Sequence, residues 1–122
     1  MEKLRQLRFY KNYFFDFFES QQEKVKNKID QVLYVIEIAE RIPKKFFDHI
    51  TNTDGLFEIR IEVGNNIYRI FCCFDEGNIV VLFNGFHKKS QKTPTAEIER
   101  ALKIKKEYFN DKKIKGHEKK RK

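Results

Sequence analysis

The chain has no tryptophan, only two cysteines and two prolines, and five glycines among 122 residues. It has no secretory h-region and no long apolar span, so the expected setting is the cytoplasm, where thiols stay reduced. Cys72 and Cys73 are adjacent and would point to opposite sides of a strand, which makes a bridge between them geometrically poor. The three histidines (His49, His87, His117) are scattered, and no carboxylate pair has an obvious site spacing. A metal cluster is therefore not expected, and neither is any cofactor. There is also no glycine-rich phosphate loop and no GxSxG, so metal-dependent nuclease and nucleotide-binding readings fall away.

What the chain does hold is phenylalanine, 13 of them, with aromatics at 15%. That is enough apolar volume for one core at this length, even with 36% charged residues, and not enough chain for two. The formal charge of +8 and pI of 9.5 favour an anionic partner. Much of that charge is local. Residues 112–122 hold seven cations against Glu118, a net of +6, which leaves +2 for the rest. Residues 1–111 read as one folded domain, and 112–122 as a basic, flexible tail.

Leu4 to Tyr10 reads as a short strand or extended arm. From Asn12 to Ala39 the pattern is helical, with Val25, Ile29, Val32, Leu33 and Ile36 at spacings of three and four. A break near Ser20–Gln22 divides it in two, and Pro43 forbids extension past Ile42. After the TNTDG turn, three strands are expected, from Phe57 to Val63, Ile67 to Phe74 and Ile79 to Phe86. A helix then runs from Thr95 to about Asn110.

Gly64-Asn65 suits a two-residue hairpin, which pairs residues whose numbers sum to 129; the second hairpin gives 153. On those registers Phe57, Ile59, Ile61, Val63, Tyr68, Ile70, Cys72, Phe74, Ile79, Val81 and Phe83 share one side, against the helices. The other side receives Arg60 directly opposite Arg69, with Asn84 next across. Like charges facing one another cost up to about 1 kcal/mol. Either Glu58 and Glu62 neutralise them as an ion-pair network, or the two arginines form a phosphate clamp.

The third strand runs into FHKKSQKTP (Phe86–Pro94). Transesterification of RNA needs a base for the 2′-OH, cations for the pentavalent phosphorane and an acid for the 5′-oxygen. His87 can titrate near neutrality, and a lysine with depressed pKa can move a proton. The segment from Gly55 to Phe109, above all Gly85-Phe86-His87-Lys88-Lys89-Ser90-Gln91-Lys92-Thr93-Pro94 followed by Glu97-Ile98 and Ala101, resembles the phage-derived HigB-like branch of the RelE/ParE type II toxin superfamily.

The resemblance implies an α+β fold: a small curved antiparallel sheet, two N-terminal helices and one C-terminal helix. It implies a metal-independent endoribonuclease that cuts translated mRNA at the ribosome. A cognate antitoxin, expected as a helix-turn-helix protein from an adjacent reading frame, would neutralise it. Carried over, the catalytic set is Arg60, Arg69, His87, Lys88 and Lys89, with Lys44, Lys45, Phe86 and Lys92 binding RNA. Upstream the pattern departs, because FFDHI supplies Asp48 and His49 where relatives carry lysines. Two alternatives stay open: a same-fold toxin that inhibits DNA gyrase without cutting RNA, and a non-catalytic RNA- or partner-binding module.

Overall fold

Gly64 sits at φ +60°, a value easy for glycine and costly with a Cβ, and it turns β3 (Phe57–Val63) back into β4 (Asn66–Asp75). Val63 pairs with Asn66 and Arg60 with Arg69, the register expected from the Gly64-Asn65 turn. The computed structural model describes residues 1–121, with side chains through Gly116. Around this hairpin lie β1 (Gln6–Phe9), α1 (Tyr13–Glu19), α2 (Glu23–Ile38), β2 (Phe47–His49), β5 (Ile79–Lys88) and α3 (Thr95–Arg121). The five strands form one sheet in the order β1-β5-β4-β3-β2. The expected α+β class stands, with two additions. β1 joins β5 in parallel, so the sheet is mixed, and β2 pairs antiparallel with β3 as an edge strand not foreseen from the sequence.

The second hairpin differs from expectation. Asp75 pairs with Ile79, leaving a three-residue loop in which Glu76 (φ +48°) and Gly77 (φ +79°) take left-handed conformations. The register is thus 154 rather than 153, and a shift of one moves side chains to the other face. Ile79, Val81 and Phe83 consequently face α3, whereas Val80 and Leu82 join the α1/α2 side. A second irregularity follows. Between the pairs Cys72–Leu82 and Ile70–Gly85, β4 has only Phe71 while β5 has Phe83 and Asn84. This is a β-bulge, and beyond it the sum is 155.

Both faces carry a core. On one, Phe14 and Phe17 of α1 and Val25, Ile29, Val32 and Ile36 of α2 cover Ile59, Ile61, Ile70 and Leu82. The break between the helices is capped locally, with the Ser20 N–H and hydroxyl donating to the Phe17 carbonyl. On the other face Ala101, Ile104 and Tyr108, at helical spacing, cover Phe71, Cys73, Val81 and Phe83. α3 continues past the expected end near Asn110 because the next turn is anchored. Lys112 Nζ donates to both oxygens of buried Asp75 (2.8 and 2.9 Å), whose Oδ2 also accepts from the Tyr108 hydroxyl at 2.6 Å. The side chains of Lys119, Lys120, Arg121 and Lys122, the end of the expected basic tail, lie outside the described residues. Among the described residues no helix is long and apolar enough to cross a membrane.

Candidate nucleic-acid interface

On the α3-facing side of the sheet, the rows of β3 and β4 from Phe71 toward the Gly64 turn carry charged residues. Strand alternation puts Glu58, Arg60 and Glu62 of β3 on this side, and the 129 register sets Arg60 directly beside Arg69 of β4. Across β5, Arg69 faces Phe86 rather than the expected Asn84, because the turn and the bulge have together advanced the register by two. Ile67 faces Lys88 in the next row. Arg60, Arg69, Phe86 and Lys88 therefore occupy adjacent positions on one face.

One carboxylate organises them. Glu58 Oε1 accepts from Arg60 Nε and from Arg69 Nε, each at 3.1 Å. Glu58 and Arg69 are buried, their side chains each 6% exposed, while Arg60 is one-third exposed at 33%. Arg69 Nη1 also donates to the Tyr68 carbonyl at 3.2 Å. The neutralising role weighed for Glu58 in the sequence is thus present, and Glu62 remains exposed nearby. Three cations (Arg60, Arg69, Lys88) against Glu58 and Glu62 leave a local net charge of +1. Burial lowers the Arg69 pKa from its ordinary value; Glu58 opposes this and the Arg60 charge adds to it. Lys88 is also lowered, first by burial and then by the positive charge of Arg69 and Arg60. A lysine held this way gives up its proton more readily than one in solvent.

His87 does not join the cluster. It was expected beside the arginines, but β5 runs two residues beyond Phe86, and alternation turns His87 to the α1 side. There its ring stacks on Tyr68, centroids 4.6 Å apart. Lys89 is exposed at the end of β5, beside an open depression shared with Asn65, Asn66 and Gln91. Lys92 is exposed in the following loop, where its carbonyl accepts from the Ser90 hydroxyl at 2.7 Å. Lys44 and Lys45 are exposed in the turn before β2. That turn touches the site through its backbone, since the Phe46 carbonyl accepts from the Arg60 N–H at 2.8 Å. Lys45 Nζ lies 4.9 Å from the Phe46 ring centroid.

Two residues were named in the sequence but not as site candidates. Asn84, at the bulge, is 1% exposed and neither its Oδ1 nor its Nδ2 has a partner among the described residues. A lone amide inside the apolar run Ile79–Phe86 is the signal that could have marked it. Asp48 pairs directly with Glu58 across β2 and β3, so an acidic row lies next to the arginine row. That pairing depends on a strand only the fold reveals.

Chemically, the face offers one accessible guanidinium, a second fixed beside it, an amine with a lowered pKa and an aromatic ring, all along one row or the next. Such a set suits a phosphodiester with a base stacked alongside. The family model described as "Phage derived protein Gp49-like (DUF891)" matches residues 16–106, from within α1 through the first half of α3. No curated protein matches the chain.

Proposed function

Because the chain belongs to the Gp49-like phage-derived family, a RelE/HigB-like toxin family, we propose that it is the toxin of a type II toxin–antitoxin pair and cleaves translated mRNA at the ribosome without a metal. The observation that carries this reading is the shared use of one buried carboxylate by two neighbouring guanidiniums. Glu58 fixes both arginines before substrate arrives, so their orientation is not bought from binding energy at the moment of reaction. Arg60, the exposed member, takes the scissile phosphate oxygens, and Arg69 holds it from beneath. The 2′-oxygen attacks phosphorus as the P–O5′ bond breaks, leaving a 2′,3′-cyclic phosphate; the 2′-OH proton passes to solvent water, and the Lys88 ammonium gives a proton to the departing 5′-oxygen. Phe86, next in the row after Arg69, offers its ring to a base. Lys44, Lys45, Lys89 and Lys92 meet the surrounding RNA backbone from opposite sides of the row. His87, on the other face, has no part in the proton transfers. The reaction takes place in the cytoplasm, and a helix-turn-helix antitoxin restrains the toxin.

The Glu58 bridge also favours a second reading, a non-catalytic RNA- or partner-binding surface, since an ion-paired face needs no chemistry. Primer extension on mRNA in programmed ribosomes separates these. The ribonuclease reading expects new 5′ ends with wild type, loss of cleavage of about 10²-fold or more with Arg60→Ala, and a comparable loss with Lys88→Met. Tight RNA binding with no new 5′ ends would support the binding module. Growth arrest with intact mRNA and inhibited gyrase would support the gyrase-directed alternative.

A further inference from the structure

β1 is an open sheet edge. It pairs with β5 on one side only, through bonds such as Gln6 N–H to the Asn78 carbonyl (3.0 Å) and Tyr10 N–H to the Leu82 carbonyl (3.4 Å). Alternation then turns the N–H and C=O groups of Leu7 and Phe9 outward. Among the described residues no other strand lies beside them. After Tyr10 the chain bends away at Lys11 (φ +52°).

The two flanks of this edge differ in chemistry. On the α1/α2 side Phe9 is 39% exposed and Phe15 40%, ring centroids 4.8 Å apart, beside a hollow that reaches Leu7 and Leu33. On the α3 side a groove is lined by Arg8, Lys11, Lys112 and Lys115, with Asp111 and the rings of Tyr10 and Tyr108. Asp75 engages Arg8 and Lys112, Glu76 also engages Lys112, Glu107 engages Lys11, and Tyr10 donates to Asp111. Four cations against four carboxylates balance, which leaves Lys115 as the one lining cation with no carboxylate partner among the described residues.

We propose that the β1 edge receives an extended segment of another protein, in which apolar residues alternate with Asp or Glu. Its backbone would bond Leu7 and Phe9, its apolar side chains would rest on Phe9 and Phe15, and its carboxylates would enter the groove toward Lys115. A second copy of this chain fits poorly, because an antiparallel β1–β1 pair brings Arg8 toward Arg8. The inference does not depend on the ribonuclease reading. β1 stands three strand spacings, about 14 Å, from β3 and Arg60, and on β5 it pairs with Ile79 to Leu82, at the end of that strand away from Phe86 and Lys88.

The test uses the full chain and an end-blocked peptide of about ten residues, Val and Leu alternating with Asp and Glu. A control peptide has the same composition with its acidic residues grouped in one half. Amide hydrogen exchange by NMR is the readout. The alternating peptide is expected to slow exchange at Leu7 and Phe9 about tenfold or more. Lys115→Glu, an exposed position with no ion-pair partner among the described residues, is expected to weaken it about threefold, and added salt should weaken wild-type binding in the same direction. Unchanged Leu7 and Phe9 exchange would overturn the proposal. So would equal protection by the grouped control, or amides already protected in a free chain that sediments as a dimer.

Discussion

Replacing Glu58 with glutamine should loosen the protein and tighten its hold on RNA at once. The substitution keeps the shape and the acceptor oxygen but removes the charge that both Arg60 and Arg69 approach at 3.1 Å. Arg69 is then left as a cation with a 6% exposed side chain and no carboxylate on it. Full loss of a buried pair costs about 3–5 kcal/mol, and the retained neutral hydrogen bond brings this down to about 2–3 kcal/mol. With an unfolding entropy of about 2.1 cal/mol/K per residue, that lowers Tm by about 8–12 °C. The same change raises the local charge from +1 to +2. For a phosphate about 5 Å from the lost carboxylate, with an effective dielectric of about 60, the gain is about 1 kcal/mol, or about sixfold in affinity.

Urea unfolding and fluorescence anisotropy with a short single-stranded RNA, at a temperature where Glu58→Gln stays folded, measure the two effects separately. Arg60→Ala is the partner experiment. Its side chain is one-third exposed, so it should cost only about 1 kcal/mol of stability while weakening RNA binding. A folded Glu58→Gln protein whose RNA affinity is equal to or below wild type would show that the arginine row does not meet phosphate.

Three further expectations concern the scaffold. A Cβ on Gly85 would lie 2.5 Å from Phe17 Cδ2 and 2.7 Å from its Cγ, so Gly85→Ala should destabilise by about 1–3 kcal/mol in urea unfolding. A change under about 0.5 kcal/mol would mean that α1 is free to shift off β5. Burial raises the Cys72 pKa well above its ordinary value and pushes Cys73 up to about 12, so both thiols should resist alkylation at pH 8 until the chain opens. Rapid native-state labelling would contradict this packing. For Asp75, burial alone would raise the pKa, but the hydrogen bonds from Lys112 and Tyr108 outweigh it and hold the group below 3.8. The unfolded state therefore takes up the proton first as pH falls. The stability Asp75 adds is present above about pH 4 and lost as pH drops through its lowered folded pKa. Asp75→Asn should cost about 1.5–3 kcal/mol at pH 7, and the gap from wild type should narrow below about pH 4; a gap independent of pH would count against the buried carboxylate.

The first hairpin can be read from its letters because everything it needs is local. Gly64 supplies the left-handed φ, and apolar residues at alternate positions from Phe57 to Val63 demand one face. α2 is legible for a similar reason, its five buried residues falling at spacings of three and four. β2 is not legible, since three residues of FFDHI become a strand only when β3 is there to pair with them. The position of His87 is lost differently. HKK looks like the start of a loop, but β5 continues to Lys88, and in a strand neighbouring letters never share a face. Gly85 in the same motif is explained by a residue 68 positions earlier, because the Phe17 ring occupies the space a side chain would need.

The second hairpin shows why part of the candidate site survives a wrong register. The three-residue loop at Glu76–Asn78 shifts β5 by one, and the extra residue at the bulge shifts it by one more. Between the two irregularities every side chain from Ile79 to Phe83 is on the face opposite to expectation, so Val81 and Phe83 pack under α3. Beyond the bulge the two shifts sum to an even number, and parity returns. Phe86 and Lys88 therefore share the face of Arg60 and Arg69, as the uninterrupted register also implied, but displaced by two residues along the strand. That displacement replaces Asn84 with Phe86 beside Arg69 and brings Lys88 within range of the arginine charges. Without the bulge, the 154 register would continue. Phe86 and Lys88 would then turn to the α1 side, His87 would replace them beside the arginines, and the lowered lysine and the guanidinium row would lie on opposite faces of the sheet.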